Sequence, residues 1–298
     1  MESLSLNLPQ QSPEQSTEQQ LQQPKHHLPL FDTHCHLDAE AFDSDRDRVI
    51  ERAQEAGVRG ILIPAVDKQH FPVVRDLAHC MQKGAYAVGI HPLFVSEAEE
   101  SDLKALEQFL RDHQDDPRLV AVGEIGLDFF VPSIREGRAR EKQIVFYREQ
   151  LALAQAFGLP VLLHVRRSQD ELLKWLRRQA PIGGLAHAFN GSFQQAQQFI
   201  DLGFCLGMGG ALTFTRAKQI RRLATSIPLS DLVLETDAPD LGPAWLEKGS
   251  RNEPAQVAAI ASSVAELRQT SREAVIKQTA AATMRAIPKL QALWADVD

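Results

Sequence analysis

The stretch "LFDTHCHLD", residues 30–38, places two histidines two positions apart after an apolar start. Side chains alternate between the two faces of a β-strand, so Asp32, His34 and His36 are predicted to point to the same side. Two imidazoles would then converge on one point. For an isolated His-x-His, a half-buried strand with hydrogen-bonded histidines is the better explanation, because two ligands do not complete a metal site. The interpretation therefore depends on residues elsewhere in the chain.

Seven further apolar runs of β type follow this one, and amphipathic stretches separate them. The clearest helical pattern, "REKQIVFYREQLALAQAFG", ends at Gly158 just before Pro160. Eight β/α units in series favour the α/β class and a closed (β/α)8 TIM barrel, with a doubly wound open sheet as the alternative. The strand candidates are residues 30–36, 59–65, 85–91, 119–126, 160–165, 183–189, 203–209 and 231–237.

The positions of ionisable residues decide between these two folds. Six strand candidates carry one at or just past the carboxyl end. In a barrel these ends form one face, where such enzymes build their sites, whereas an open sheet would scatter them. The barrel is therefore the prediction. The six residues are His36, His91, Glu124, His164, His187 and Asp237.

Composition limits the classes of protein. A net charge of -7 over 298 residues argues against broad adhesion to nucleic acid or to an anionic membrane. The three cysteines are widely spaced, which predicts a reducing compartment without disulfides. No segment sustains the ~20 apolar residues of a membrane span, so a soluble, cytoplasmic protein is expected.

Residues 1–29, rich in Gln, Pro and Ser, are predicted to form a disordered tail, and residues 30–298 to form the barrel domain.

Together the strand ends supply more ligands than one catalytic zinc ion takes. They suffice for two divalent ions, of Zn, Mn or Mg, if one carboxylate bridges the pair. Each residue alone has an ordinary structural explanation, such as a helix cap, a turn or a satisfied core histidine. Six separate structural roles that happen to fall at six strand ends would explain these residues less well than one shared metal site does. The predicted metal ligands are His34, His36, Glu124, His164, His187 and Asp237.

Six motifs resemble, in order and spacing, those of the TatD-type metal-dependent hydrolases and deoxyribonucleases of the amidohydrolase superfamily, and within that family the YjjV-like subgroup. The resemblance covers roughly residues 30–285, nearly everything but the tail. The motifs are "FDTHCHLD", "VGIHP", "VGEIGLDF", "LPVLLHVRRS", "LAHAFNGS" and "LETDAPDL".

The resemblance also implies how the ligands divide between the ions. In amidohydrolases that open cyclic amides the bridging ligand is commonly a carbamylated lysine, whereas a glutamate stands at that strand end here. This difference favours hydrolysis of esters or phosphoesters. The implied sets are His34, His36 and Asp237 for one ion and His164 and His187 for the other, with Glu124 bridging.

Two such ions could hold a bridging water, lower its pKa and stabilise the charge on an attacked phosphoryl or acyl centre, so that hydroxide is the nucleophile. Asp237 is expected to orient this water and to shuttle its proton, which makes Asp237 and Glu124 the catalytic candidates. Replacing Asp237 by Asn is expected to abolish turnover and leave the fold intact.

The residues beside the ligands suggest an anionic substrate. His91 and Arg166 are predicted to contact it, since a guanidinium fork matches phosphate oxygens well. Asp128, Asn190 and Glu235 are expected to hold histidines or a loop in place.

The favoured hypothesis is a binuclear phosphodiesterase or deoxyribonuclease, resembling a 3'–5' exonuclease, that acts on DNA ends or on a small phosphoester. A hydrolase of esters or amides, for example one resembling an aminoacyl-tRNA deacylase, is an alternative. A metal-binding scaffold without turnover, which works through its Gln-rich tail, is another. No obligate protein partner is indicated.

Overall fold

A computed structural model describes residues 29–294. Within this range, eight parallel strands follow one another in chain order around a barrel, with helices between them, which confirms the TIM-barrel prediction. The strands are β1 (Leu30–Asp32), β2 (Val58–Pro64), β3 (Gly84–Val88), β4 (Leu119–Asp128), β5 (Val161–Arg166), β6 (Gly184–Ala186), β7 (Phe204–Met208) and β8 (Leu232–Leu234). The predicted tail, apart from Pro29, lies outside the described residues, as do residues 295–298 of the predicted barrel domain.

The described residues contain ten α-helices and, in addition, four short 3-10 helices. The pattern at 140–158 corresponds to α4, which ends at Ala156, and Gly158 follows with a φ of 62°. A glycine in this left-handed region is a common helix terminator, so this prediction is confirmed. The helices are α1 (Arg46–Glu55), α2 (His70–Cys80), α3 (Glu100–Asp112), α4 (Gly137–Ala156), α5 (Gln169–Gln179), α6 (Phe193–Asp201), α7 (Lys218–Ser226), α8 (Val257–Arg268), α9 (Arg272–Ala286) and α10 (Lys289–Trp294).

Backbone hydrogen bonds between the ends of β8 and β1 close the barrel. Thr33 N–H donates to Leu234 O at 3.0 Å, and Asp237 N–H donates to His34 O at 2.9 Å. The link continues beyond both strands, since His36 N–H donates to Ala238 O at 2.8 Å. The two segments that carry His34, His36 and Asp237 are thus bonded directly to each other.

Five strands are shorter than predicted, and for β1, β6 and β8 the difference concerns the site. The prediction of a continuous strand over 30–36 is wrong beyond Asp32, because the Asp32 carboxylate accepts the His34 N–H at 3.2 Å and turns the backbone. Strands β6 and β8 end before Ala188 and Asp237, whose φ angles of 43° and 58° are incompatible with a strand. His34, His36, His187 and Asp237 therefore lie on irregular segments just beyond the strands, whereas His164 lies within β5.

The core has two layers, as a barrel wrapped by helices requires. Outward-facing strand residues pack against the helices, and inward-facing ones fill the barrel. Helices α9 and α10 cover the amino-terminal end of the barrel, where the Trp294 ring stacks on Phe31 with centroids 4.3 Å apart. Among the described helices, none combines the length and the apolar character needed to cross a bilayer.

Candidate metal centre

Glu124 lies at the middle of a cluster of histidines, and its two carboxylate oxygens face different ones. Oε2 is 3.1 Å from His34 Nε2 and 3.4 Å from His36 Nε2. Oε1 is 3.0 Å from His164 Nδ1 and 3.5 Å from His91 Nε2. Strand β4 carries Glu124 into the barrel, and the carboxylate is 1 % exposed. The geometry is that of a carboxylate placed between two groups of nitrogen donors.

The first group, on the Oε2 side, contains His34, His36 and Asp237. The two Nε2 atoms are 3.2 Å apart, and Asp237 Oδ1 lies 3.5 Å from one and 3.6 Å from the other. His187 joins from the end of β6, where its ring stacks on His34 with centroids 3.6 Å apart and its Nε2 lies 3.4 Å from Asp237 Oδ1. The structure thus brings four of the predicted ligands together with Glu124.

The second group, on the Oε1 side, contains His164 and His91. The His164 Nδ1 and His91 Nε2 atoms are 3.0 Å apart. On the far side of its ring, His164 Nε2 lies 3.1 Å from Asp128 Oδ2. The sequence interpretation placed His187 with His164 and assigned His91 to the substrate, whereas the structure sets His91 next to His164.

Hydrogen bonding separates the roles that His91 and His187 can take. The backbone N–H of Leu93 donates to His91 Nδ1 at 3.1 Å, so the proton of neutral His91 is on Nε2, the atom that faces Glu124 and His164. A nitrogen that carries a proton has no free lone pair for a metal. His187 differs, because its Nδ1 lies 3.1 Å from Glu235 Oε1, so a ring that loses one proton to bind a metal can keep the other on Nδ1 and offer Nε2 to the site.

The distances in the cluster fit bound metal. Ligand atoms about 2.1 Å from a tetrahedral ion lie about 3.4 Å from one another. The separations around Glu124 Oε2 range from 3.1 to 3.6 Å. Glu124 Oε2 is also buried without a hydrogen bond, an arrangement that costs free energy unless a cation or another donor compensates it. The residues present therefore fit divalent ions.

The pKa values of the carboxylates keep both of them charged at neutral pH. Burial alone would raise the pKa of Glu124, but the surrounding histidines, with His91 first among them, and the hydrogen bond with His164 hold it well below its usual value. Burial also opposes the ionised form of Asp237, yet the charge and hydrogen bond of His187 lower its pKa to about 2. Two negative ligands are the donor type that a pair of divalent cations needs.

The pKa values of the histidines shift in opposite directions. Burial lowers the pKa of His34 and lowers that of His91 to about 4, so both are neutral at pH 7. For His36, burial is outweighed by the close contact with the Glu124 carboxylate and its charge, which raise the pKa of His36 to about 9. A histidine must lose its proton to bind a metal, so His36 would release one on loading.

Three residues behind the ligands were predicted to hold the site, and two of them contact a histidine. Asp128 lies against His164, and Glu235 lies against His187 and also accepts the Ala188 N–H at 2.7 Å. Gly207 leaves the space that the Glu235 carboxylate fills, since a Cβ there would overlap it. Asn190 is exposed on the cavity wall, and its side chain forms no hydrogen bond within the described residues.

Asp32 is a positioning residue that the sequence interpretation left without a role. Its buried carboxylate accepts hydrogen bonds from the His34 N–H, the Thr236 N–H at 3.0 Å and the Thr236 hydroxyl at 2.6 Å. It therefore joins the segment that carries His34 to the one that carries Asp237. A carboxylate inside an otherwise apolar strand was the available signal.

The cluster opens into a cavity of about 1320 Å³ at the carboxyl-terminal mouth of the barrel. His36, His91, Glu124, His164, His187 and Asp237 all line it, as does Arg166. The Arg166 side chain is 48 % exposed, and its Nη1 lies 3.6 Å from Asp128 Oδ2. Arg166 is therefore free to reach a molecule in the cavity, as the sequence interpretation requires.

Comparison with known proteins gives one consistent family. Residues 31–288 match the family described as TatD related DNase. The chain is 39 % identical to YjjV of Escherichia coli K12, named an uncharacterized metal-dependent hydrolase, over 80 % of this chain and 90 % of that protein. It is 31 % identical to the human deoxyribonuclease TATDN3, over 89 % of this chain and 96 % of that one.

Solved structures agree with the sequence comparison. The crystal structure of Escherichia coli YjjV, a TatD homologue, superimposes with a TM-score of 0.82 at 36 % identity and covers 87 % of this chain and 98 % of its own. A TatD-family hydrolase from Entamoeba histolytica shares the fold with a TM-score of 0.76 at 23 % identity, over 87 % of this chain and 98 % of its own. The chain therefore belongs to the TatD-related family of metal-dependent hydrolases.

Proposed function

We propose that this protein is a binuclear metal-dependent phosphodiesterase that removes nucleotides from DNA ends, in the manner of a 3'–5' exonuclease. One observation carries the proposal: the two oxygens of Glu124 face separate groups of imidazole nitrogens, which is the arrangement of a ligand shared by two ions. The deoxyribonuclease name of the human relative supports DNA as the substrate.

The proposed ligands follow from the proton positions described above. For the first ion they are His34, His36, Asp237 and Glu124 Oε2. For the second they would be Glu124, His164 through Nδ1 and His187 through Nε2, because Asp128 and Glu235 lie beside the other nitrogen of each ring. When bound, two divalent ions would supply Lewis-acid stabilisation of charge on the phosphoryl group and an activated water.

The other residues then have separate tasks. Asp237 is ionised and its side chain is 15 % exposed to the cavity, so it can accept a proton from an attacking water. His91 is neutral and its Nε2–H points towards Glu124. This N–H is suited to donate a hydrogen bond to a phosphoryl oxygen. Arg166 offers a guanidinium to the phosphate backbone.

The test combines metal content with product release. We expect elemental analysis of the purified protein to find two ions per chain, and single-stranded DNA to release nucleotides when Mn²⁺ or Mg²⁺ is added. Two bound ions without release would overturn DNA as the substrate, and a panel of esters and amides would then decide between the alternatives. A chain that binds no metal would overturn the proposal as a whole.

Substitution of His187 and of His91 tests which of the two binds metal. We expect His187→Ala to lower the metal content from two ions to one, because it removes a ligand. His91→Ala should keep two ions and raise KM, because it removes only a contact to the substrate. The reverse pattern of metal contents would assign His91 to the metal and overturn the ligand sets proposed here.

A further inference from the structure

The cavity mouth has an uneven distribution of fixed charge. Of the described residues that line it, the arginines and lysines are Arg166, the last residue of β5, and Arg167, which follows that strand. Three acidic residues outside the metal cluster line it as well, and they follow β1 and β8: Asp38, Glu40 and Asp240. In an eight-stranded barrel of sequential order, β4 and β5 lie across the mouth from β8 and β1. A polyanion is therefore attracted to the β4–β5 side.

An exposed aromatic ring stands at this basic side. Phe130 follows β4, lines the cavity and is 40 % exposed. The guanidinium carbon of Arg166 lies 4.0 Å from the ring centroid, and that of Arg167 lies 4.6 Å away. Both are within the range of a cation–π contact, and the exposed part of the ring shows that they do not cover it.

Backbone hydrogen bonds fix this ring relative to the metal ligands. The Phe130 N–H donates to Asp128 Oδ1 at 2.8 Å, and the Phe129 N–H donates to Arg166 O at 2.9 Å. The other oxygen of Asp128 lies 3.1 Å from His164 Nε2. The Asp128 carboxylate thus contacts both the loop that carries Phe130 and His164, a proposed metal ligand. The backbone of this loop is therefore held at a defined position relative to the cluster.

We propose that Phe130, Arg166 and Arg167 form a nucleobase-stacking subsite for single-stranded DNA, beside the scissile phosphate. A ring and two planar guanidinium groups offer flat surfaces to a base of any identity, and the two positive charges attract the phosphates on either side of it. This inference rests on the proposed function and adds to it a reason for preferring an unpaired strand over a small phosphoester. Sequence preference is expected to be weak, because stacking uses no base edge.

The first test compares KM and kcat for short oligothymidylates. Phe130→Ala should raise KM about tenfold and leave kcat nearly unchanged, whereas Phe130→Tyr should retain the wild-type KM, because it keeps the ring. Phe193→Ala is the matched control, since Phe193 is 45 % exposed but does not line the cavity. An unchanged KM for Phe130→Ala, or an equal rise for Phe193→Ala, would overturn the subsite.

Abasic substrates show whether a base is what Phe130 contacts. A single abasic position is moved along the oligothymidylate, and one position is expected to raise the wild-type KM about as much as Phe130→Ala does. With the abasic position there, Phe130→Ala should raise KM no further, because the contact between ring and base is already absent. Additive losses at every position would show that Phe130 does not contact a base and would overturn the assignment.

A spectroscopic test separates the subsite from turnover. An oligonucleotide with 2-aminopurine at that position is added to the full-length protein in EDTA, and stacking is expected to quench its fluorescence with the wild type but not with Phe130→Ala. Equal quenching by both chains, or none with the wild type, would overturn the subsite. Failure of the proposed function would look different, as quenching without nucleotide release when Mn²⁺ is added.

Salt dependence tests the arginines. Arg167→Gln should reduce the slope of log KM against log salt concentration by about 0.7, the value for one phosphate contact on a single strand. Arg167→Lys should keep the slope but raise KM, because an ammonium holds the charge without the flat surface. A slope that Arg167→Gln leaves unchanged would overturn the role of Arg167.

Discussion

The carboxyl-terminal end of the barrel gathers buried titratable side chains, whereas the amino-terminal end is closed by apolar ones. Around Glu124, carboxylates and imidazoles lie 3.0 to 3.6 Å apart and open into the cavity. At the other end, Trp294 stacks on Phe31 and donates its indole N–H to Lys83 O at 3.0 Å. The contrast shows that this chain gathers its titratable cluster at one end of the barrel and closes the other end with apolar packing.

Such a division has a physical reason. Buried charges cost free energy unless they are compensated, so a cluster of ionised carboxylates and histidines contributes little to folding stability on its own. An aromatic plug contributes through burial and needs only one hydrogen bond for its indole N–H. Substitutions at the two ends should therefore change different measured quantities, and the following predictions go from the largest expected effect to the smallest.

Glu124→Gln should give the largest effect. The amide removes the negative charge between the two groups of histidines, so we expect kcat for nucleotide release to fall about 10³-fold or more, with loss of bound metal. The melting temperature of the metal-free protein should not fall, because the variant also removes a buried charge. A variant that keeps its bound metal and wild-type turnover would contradict the role of Glu124 as a shared metal ligand.

Asp237→Asn should also abolish turnover and leave the fold intact. Asparagine has the same shape but cannot accept a proton from water, and it is a weaker ligand. The φ of 58° at this position is tolerated by asparagine, so the backbone needs no rearrangement. The measurement is kcat together with elemental analysis, and near wild-type turnover with a full complement of metal would contradict the role assigned to Asp237.

Trp294→Ala tests the opposite end. Removing a fully buried indole should lower the free energy of unfolding by about 3 kcal/mol or more. We expect kcat and metal content of the folded fraction to stay at wild-type values, as measured below the melting temperature. Trp245→Ala is the matched control, since Trp245 is 46 % exposed, and it should change stability little. A fall in metal content with Trp294→Ala would show that the two ends are coupled.

Glu235→Gln should have the smallest effect of the four. The carboxylate lies beside His187 and is not itself a proposed metal ligand, and loss of such a partner typically costs 10- to 100-fold in metal affinity. Titration with Zn²⁺ or Mn²⁺ in competition with a chelator measures this affinity. Glu247→Gln, at an exposed position, is the control and should leave it unchanged. Equal affinities for wild type and Glu235→Gln would leave His187 without its proposed support.

Much of the fold and of the site was predictable from local patterns. The eight apolar runs and the helical period of residues 140–158 predict alternating strands and helices, because elements of this length depend largely on nearby residues. Titratable residues at strand ends determined which side chains meet, since the carboxyl ends of barrel strands must share one face. His36, Glu124 and Asp237 were found in this way.

Tertiary structure alone decided the details on which the chemistry depends. Which oxygen of Glu124 faces which histidine depends on segments 33 or more residues apart, and the proton of His91 is placed by the Leu93 N–H in the folded loop. Asp32 and Thr236, 204 residues apart, meet because the barrel closes between β8 and β1. The environment of Phe130 likewise arises from two loops that only the barrel brings together. Local sequence determines the strands, but contacts between distant segments depend on how the whole sheet closes.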